Sequence, residues 1–229
     1  MNSNADFNAI EGALLSEGYV HVPQLLTAAQ CADVRKMFER DELFRKHIVM
    51  ERHNFGKGEY KYFAYPLCEP VAGLREQFYD RLAPVANEWN ARLGKTERFP
   101  SRAQQFLDLC GEHGQSRPTA LLLRYRAGDY NCLHEDTYGA IAFPFQMTVF
   151  LNLRADYEGG EYVLVEQRPR AQSRPIVLQP ELGDALIVPN RHRPVLGKNG
   201  YYRTTFRHGV STIRRGERFA LGIIFHDAL

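Results

Sequence analysis

The 229-residue chain changes its hydrophobic period part-way along. In the first half the apolar residues recur at helical spacing. Val71, Leu74, Phe78, Leu82, Val85, Trp89 and Leu93 form one stripe, which predicts a long helix with a buried face. Pro84 lies inside it and should kink or split it, because proline removes a backbone donor. "TAAQCADVRKMFER" (27–40) predicts an earlier helix with Thr27 and Gln30 at capping-box spacing, and "SRAQQFLDLCGEH" (101–113) a shorter later one. "GYVHVPQLL" (18–26) reads as a short strand. Residues 51–68 mix glycine, aromatics and charge around a strand-like "YKYFAY", which predicts a loop placed as a lid.

From Pro118 onward the period becomes two. "TALLLRYRAG", "FPFQMTVFLNL", "GEYVLVEQ", "RPIVLQP", "DALIVP", "YYRTTFRHGVST" and "RFALGIIFHDA" predict seven or more short strands. Gly-containing turn signals separate them at 127–129, 158–160, 182–184, 198–200 and 214–216. Helices followed by many short strands predict a mainly β fold, a sandwich or barrel with N-terminal helices packed on it. A single domain is expected over 1–229, with 1–117 as helical support and lid and 118–229 as the β core.

Composition changes this picture little. Apolar content of 44% and charged content of 24% are those of a globule with a real core. No run is long and apolar enough to span a membrane. The first residues lack the basic and apolar regions of a signal peptide, so cytoplasmic residence is expected. Four scattered cysteines, Cys31, Cys68, Cys110 and Cys132, read as free thiols. A net charge of +2 argues against a dedicated nucleic-acid coat, yet residues 168–218 hold eleven Lys or Arg against three acids. That surplus predicts either a solvated basic face or an anionic ligand nearby.

The candidate chemistry begins at "YNCLHEDTYG" (130–139). In an extended segment His134 and Asp136 share a face and Glu135 points the other way. Cys132 would share the ligand face and offer a sulfur. A third ligand must come from further on, where His192, His208 and His226 are available. In "RHGVSTIRRGERFALGIIFHD" a tight turn at Arg214-Arg215-Gly216 would set His208 opposite Gly222, with Arg218 facing the same interior. An inward arginine requires an anion, and a guanidinium matches a carboxylate with two parallel hydrogen bonds. Two histidines and one carboxylate leave coordination positions open, as in non-haem Fe(II) oxygenases. His192 reads as a pocket-rim residue and His226 as structural. Gln146, Arg168, Arg170 and Arg174 read as surface or substrate-contacting side chains.

"HED…HGVSTIRRGER" resembles the HxD…H…R pattern of Fe(II)/2-oxoglutarate dioxygenases, and "LLLRYRAGDYNCLHED" resembles the prolyl-hydroxylase-like branch. "GKGEYKYFAYPL", "FPFQMTVFL" and "GGEYVLVEQRPRAQSRP" are similar to a bacterial family described as oxidatively demethylating damaged nucleic acid. The resemblance runs from about residue 15 to the end. It implies a double-stranded β-helix of the jelly-roll or cupin kind. It also implies Fe(II) on His134, Asp136 and His208, 2-oxoglutarate held by Arg218 and Tyr125, and O₂ as oxidant. The reaction implied is hydroxylation of a C–H bond, releasing formaldehyde when the carbon is an N-methyl. The substrate would be alkylated single-stranded DNA or RNA, with Tyr60, Tyr62 or Tyr138 stacking on a flipped base. The alternatives are a protein side chain or free metabolite as substrate, and a metal-binding β-barrel that is no oxygenase.

Overall fold

The computed structural model describes residues 5–229. Its helices are α1 (Phe7–Ser16), α2 (Ala28–Lys36), α3 (Val71–Arg92) and α4 (Ala103–Glu112). The Asp6 carboxylate caps α1, accepting from the amides of Asn8 and Ala9. Thr27 and Gln30 form the expected reciprocal box at the start of α2. α3 runs on through Pro84 without a break. An interior proline costs about 3 kcal/mol, and burying a single large apolar side chain returns roughly 1.5–3 kcal/mol. Every member of the predicted stripe from Val71 to Trp89 is buried, so packing outweighs propensity.

The strands are β1 (Val20–Val22), β2 (Phe44–Val49), β3 (Gly56–Lys57), β4 (Glu59–Phe63), β5 (Leu121–Arg126), β6 (Tyr130–His134) and β7 (Phe145–Phe150). They continue with β8 (Tyr157–Gly159), β9 (Tyr162–Gln167), β10 (Arg174–Leu178), β11 (Ala185–Pro189), β12 (His192–Gly197), β13 (Gly200–Val210) and β14 (Ile213–Ile224). The larger sheet has the order β1-β11-β7-β14-β5-β4-β2, with β8 beside β14. The smaller has the order β10-β9-β13-β6-β3, with β12 beside β13. The recorded pairings are antiparallel, and the two sheets face each other as a jelly roll. The stretch read as helical support thus also contributes β1 to β4; the strand-like "YKYFAY" overlaps β4, and β3 adds a two-residue strand before it.

Alternation along the large sheet sorts its two faces. Phe145, Met147 and Val149 of β7 and Phe219, Leu221 and Ile223 of β14 pack with Phe78, Leu82 and Trp89 of α3 in one apolar cluster. The Trp89 and Phe145 ring centroids are 4.4 Å apart. The intervening residues, Gln146, Thr148, Ala220, Gly222 and Ile224, look toward the small sheet and line a cavity. β7 is therefore buried on both faces.

The expected hairpin across residues 214–216 is not formed. β13 belongs to the small sheet and β14 to the large one, and the chain crosses between them at Ser211-Thr212. Gly216 lies inside β14, opposite Tyr157, with φ +81°. A Cβ there would collide with the Asp156 carbonyl, so the glycine serves a close strand approach rather than a turn. His208 still faces Gly222, across the cavity instead of across a ladder.

Candidate active site

The cavity between the sheets has a volume of about 420 Å³. That lies within the usual range for small-molecule sites. β13 carries His208 into it and β6 carries His134, the two being direct pairing partners. Asp136 follows just beyond the end of β6. One donor atom from each of the three lies within 4.8 Å of the others. His208 Nε2 is 3.2 Å, and His134 Nε2 3.7 Å, from Asp136 Oδ2. The three residues singled out as metal ligands are thus brought together.

A bulge accompanies this arrangement. His208 pairs with His134, but Val210 pairs with Asn131, so β6 holds one residue more than β13 over the interval. Asn131 and His134, three apart, both serve the cavity side. Cys132 is exposed and lines the cavity, but its thiol is not part of the three-residue ligand group. Its carbonyl is used instead, lying 2.8 Å from His134 Nδ1. That contact fixes a proton on Nδ1 and leaves the Nε2 lone pair aimed at the cluster.

Asp136 is held from several sides. Tyr138 donates its hydroxyl to Oδ1 at 2.6 Å, and Gln146 donates Nε2–H to Oδ2 at 2.8 Å. Burial alone would raise its carboxyl. The His208 hydrogen bond, the charges of His134 and His208 and the Tyr138 hydroxyl outweigh that and hold it well below the usual carboxylate range. Burial pushes His208 toward its neutral form, and His134 adds to the effect. Neutral imidazoles and an ionised carboxylate are the protonation states a divalent metal needs.

Tyr138 belongs to a loop that is pinned from outside. Gln115, fully buried, reaches the carbonyls of Tyr138, Ile141 and Asp227 at 3.0, 2.9 and 2.6 Å and accepts from the Ile141 amide. The His226 ring nitrogens lie 3.3 and 3.2 Å from the amides of Tyr138 and Phe143. His226 thus packs against the backbone of the loop that carries Tyr138. Burial pushes its ring down to about 4.

At the other side of the cavity stands Arg218, 1% exposed. Its Nε and both Nη atoms have no protein hydrogen-bond partner. Only the ring faces of Phe150 and Tyr125 approach, at 5.0 and 5.6 Å. The Tyr125 hydroxyl accepts from Asn131 at 3.3 Å, and burial raises it to about 12. Tyr162 stacks on His208 with ring planes 10° apart, and its buried hydroxyl also lacks a partner. A buried cation with no hydrogen-bond partner is a cradle for an anion.

Tyr162, Thr148 and Asn131 were missed by the sequence reading. Thr148 had a visible signal, because Gln146 and Thr148 are the two polar residues of the apolar run "FQMTVF" and share a parity. Tyr60, Tyr62 and Tyr138 all line the cavity. Glu135 does too, paired with Arg191 at 2.9 Å rather than pointing away from the site. Arg168, Arg170 and Arg174 do not line it, so a direct substrate contact from them in this cavity is not formed.

Residues 58–228 match the model of a family described as "Oxygenase, catalysing oxidative methylation of damaged DNA". The chain belongs to this oxygenase family. An uncharacterised protein of Mycobacterium tuberculosis, recorded in strains H37Rv and CDC 1551, is 44% identical over 167 residues, 72% of each chain. The fold is that of prolyl-hydroxylase-type enzymes. A Pseudomonas putida prolyl-4-hydroxylase gives a TM-score of 0.53 at 14% identity, covering 97% of this chain and 99% of that one. A Trichoplax adhaerens prolyl hydroxylase gives 0.57 at 15%, covering 96% and 89%. A 2OG-Fe(II) oxygenase family oxidoreductase of Burkholderia pseudomallei gives 0.54 at 16%, covering 99% and 94%. The chain is thus an enzyme of an oxygenase family with a double-stranded β-helix fold, and the non-oxygenase reading is set aside. Among the described residues no helix is long and apolar enough to cross a membrane.

Proposed function

We propose that this oxygenase couples oxidative decarboxylation of 2-oxoglutarate to hydroxylation of a substrate C–H bond. In this reading His134, Asp136 and His208 hold Fe(II), and Arg218 with Tyr125 holds the far carboxylate of 2-oxoglutarate. The carrying observation is that one cavity contains both a two-histidine, one-carboxylate cluster and a buried guanidinium without a protein partner. That donor set suits ferrous iron and leaves positions open for a 2-oxo acid and O₂. When bound, iron and 2-oxoglutarate supply the oxygen-activating redox chemistry that side chains lack. The chain's own residues ligate and orient. Tyr138 and Gln146 fix the Asp136 carboxylate, the Cys132 carbonyl fixes the His134 tautomer, and Thr148 and Tyr162 add hydroxyls to the cavity wall.

The substrate we favour is an N-alkylated base in single-stranded DNA or RNA. The family description supports it. So do the walls: Tyr60 and Tyr62 meet edge to face at 5.2 Å, and Phe55 stands 49% exposed at the mouth. Flat apolar walls accept a flipped base, and an exposed aromatic can stack on its neighbour. Hydroxylation of an N-methyl group gives a hydroxymethyl amine, which releases formaldehyde and the bare amine. One observation favours the second reading, a protein side chain or free metabolite. Arg168, Arg174 and Arg193 of the basic segment line a different cavity and do not surround this mouth.

The test is mass spectrometry of single-stranded oligonucleotides carrying N-methylated bases, incubated aerobically with Fe(II) and 2-oxoglutarate. Loss of one methylene mass, dependent on 2-oxoglutarate and absent in His134→Ala, supports the nucleic-acid reading. Intact oligonucleotide with slow succinate formation supports the second. Undiminished succinate formation by His134→Ala removes that residue from the site.

A further inference from the structure

Alternation on β9 and β13 leads away from the metal-ligand cluster to a second cavity. On β9, Tyr162 lines the first cavity and Glu166 the second; on β13, His208 lines the first and Phe206 the second. The apolar cluster of Phe150, Leu164, Leu186 and Val188 joins Tyr162 to Phe206, and the two cavities share no lining residue. The second has a volume of about 470 Å³.

Its charges are unbalanced. Arg92, Arg168, Arg174 and Arg193 face Glu17 and Glu166, and Arg92 is also paired with Glu88 at 2.8 Å, which leaves a surplus of one positive charge. Glu166 is only 2% exposed and sits among the guanidinium groups. Its Oε1 is 3.2 Å from Arg168 Nε and 4.0 Å from Arg193 Nη1. One buried carboxylate therefore positions two arginines without neutralising the cluster. Arg193 is only 11% exposed in its side chain; its Nη2 donates to the Ser16 carbonyl, and its Nε alone is buried without a partner. Arg174 is the direct pairing partner of Glu166 on β10, so it shares the inward face, yet no ion pair joins it to Glu166. Arg92 lies over the Tyr201 ring at 5.0 Å, and that ring is 41% exposed. Buried guanidinium donors lacking an acceptor call for an oxyanion. Three guanidinium groups around one cavity offer more donors than a single carboxylate accepts, which suits the terminal oxygens of a phosphate monoester.

We infer that this second cavity binds the phosphate group of a small phosphate monoester, with Arg168, Arg174 and Arg193 as donors and the Tyr201 ring beside the ester's body. The site is independent of the metal-ligand cluster. It gives the basic segment a role that the first cavity leaves to Arg218 alone.

The probes are inorganic phosphate and phenyl phosphate, titrated calorimetrically into the full chain. Both should bind, phenyl phosphate more tightly. Arg174→Ala should weaken binding about tenfold or more, the usual effect of losing a hydrogen bond to a charged group. Arg174 is exposed, so its loss should leave 2-oxoglutarate turnover and the fold unchanged. Arg168→Ala should act in the same direction. Arg218→Met should leave phosphate binding intact. Binding that survives Arg174→Ala and Arg168→Ala but disappears in Arg218→Met places the anion in the first cavity and overturns the inference. So does the absence of binding by either probe.

Discussion

Replacing Arg218 by methionine should move two measurable quantities in opposite directions. The wild-type guanidinium is 1% exposed and its three nitrogens have no protein partner. Two aromatic faces offset part of that cost, each by about 0.5–2 kcal/mol. Exchanging buried charge for a well-packed apolar side chain commonly gains about 1–4 kcal/mol. In a chain of this size each kcal/mol raises the unfolding temperature by about 2–4 °C. Arg218→Met should therefore melt several degrees higher than wild type when no 2-oxoglutarate is present. Under the proposed assignment, the same change removes the partner of the cosubstrate's far carboxylate. Truncating one member of a buried charged pair costs roughly 2–5 kcal/mol, equivalent to about 30- to 5000-fold in apparent affinity. Scanning calorimetry of both proteins under anaerobic Fe(II), with and without 2-oxoglutarate, reads both effects. Wild type should gain stability on adding 2-oxoglutarate by mass action, and the variant should not. A variant that melts lower without ligand, yet gains as much as wild type with it, would refute the assignment of Arg218.

Two further substitutions address the surroundings of the cluster. Tyr138→Phe removes the hydroxyl that bonds Asp136 Oδ1 and should weaken Fe(II) affinity by roughly 10- to 100-fold, read from the iron dependence of succinate formation; an unchanged dependence would show that this contact does not orient the carboxylate. His226 is neutral in the fold, with its ring pushed down to about 4 from an ordinary 6.5. Between those pH values the unfolded chain binds the extra proton, so the stability is complete above pH 6.5 and falls by about 3 kcal/mol toward pH 4. Urea midpoints measured across that window should slope less steeply in His226→Asn than in wild type, and parallel slopes would contradict the assignment.

Part of this candidate site was legible from β alternation. His134 and Asp136 could be set on one face, and His208 and Arg218 on one interior, by counting parity, whereas Tyr125 came only from the family resemblance; the four residues placed by parity line one cavity despite a wrong topology. The hairpin expected at 214–216 failed because Gly216 carries the signature of a turn while serving the approach of β14 to β8. The true crossover at Ser211-Thr212 contains neither glycine nor proline. The bulge that brings Asn131 and His134 to the cavity shows in the strand pairing and not in composition. α3 passed its proline because tertiary burial decided the matter. Arg168 and Arg174 were flagged by charge alone, and charge cannot say which of two cavities a strand's far end will face.

The pinning of the Tyr138 loop bears on how the enzyme should fail under heat. Loops that carry site residues ordinarily open locally at little free-energy cost, so that activity is lost well before the fold. Here the loop cannot lift away without stripping Gln115 of its contacts to Tyr138 and Ile141 and exposing the buried faces of His226. Each buried polar group left unpaired costs about 1–3 kcal/mol. Several such groups together approach the 5–15 kcal/mol that holds a typical domain folded. Opening this loop is then nearly as costly as unfolding the sandwich, and inactivation and denaturation should share a single transition.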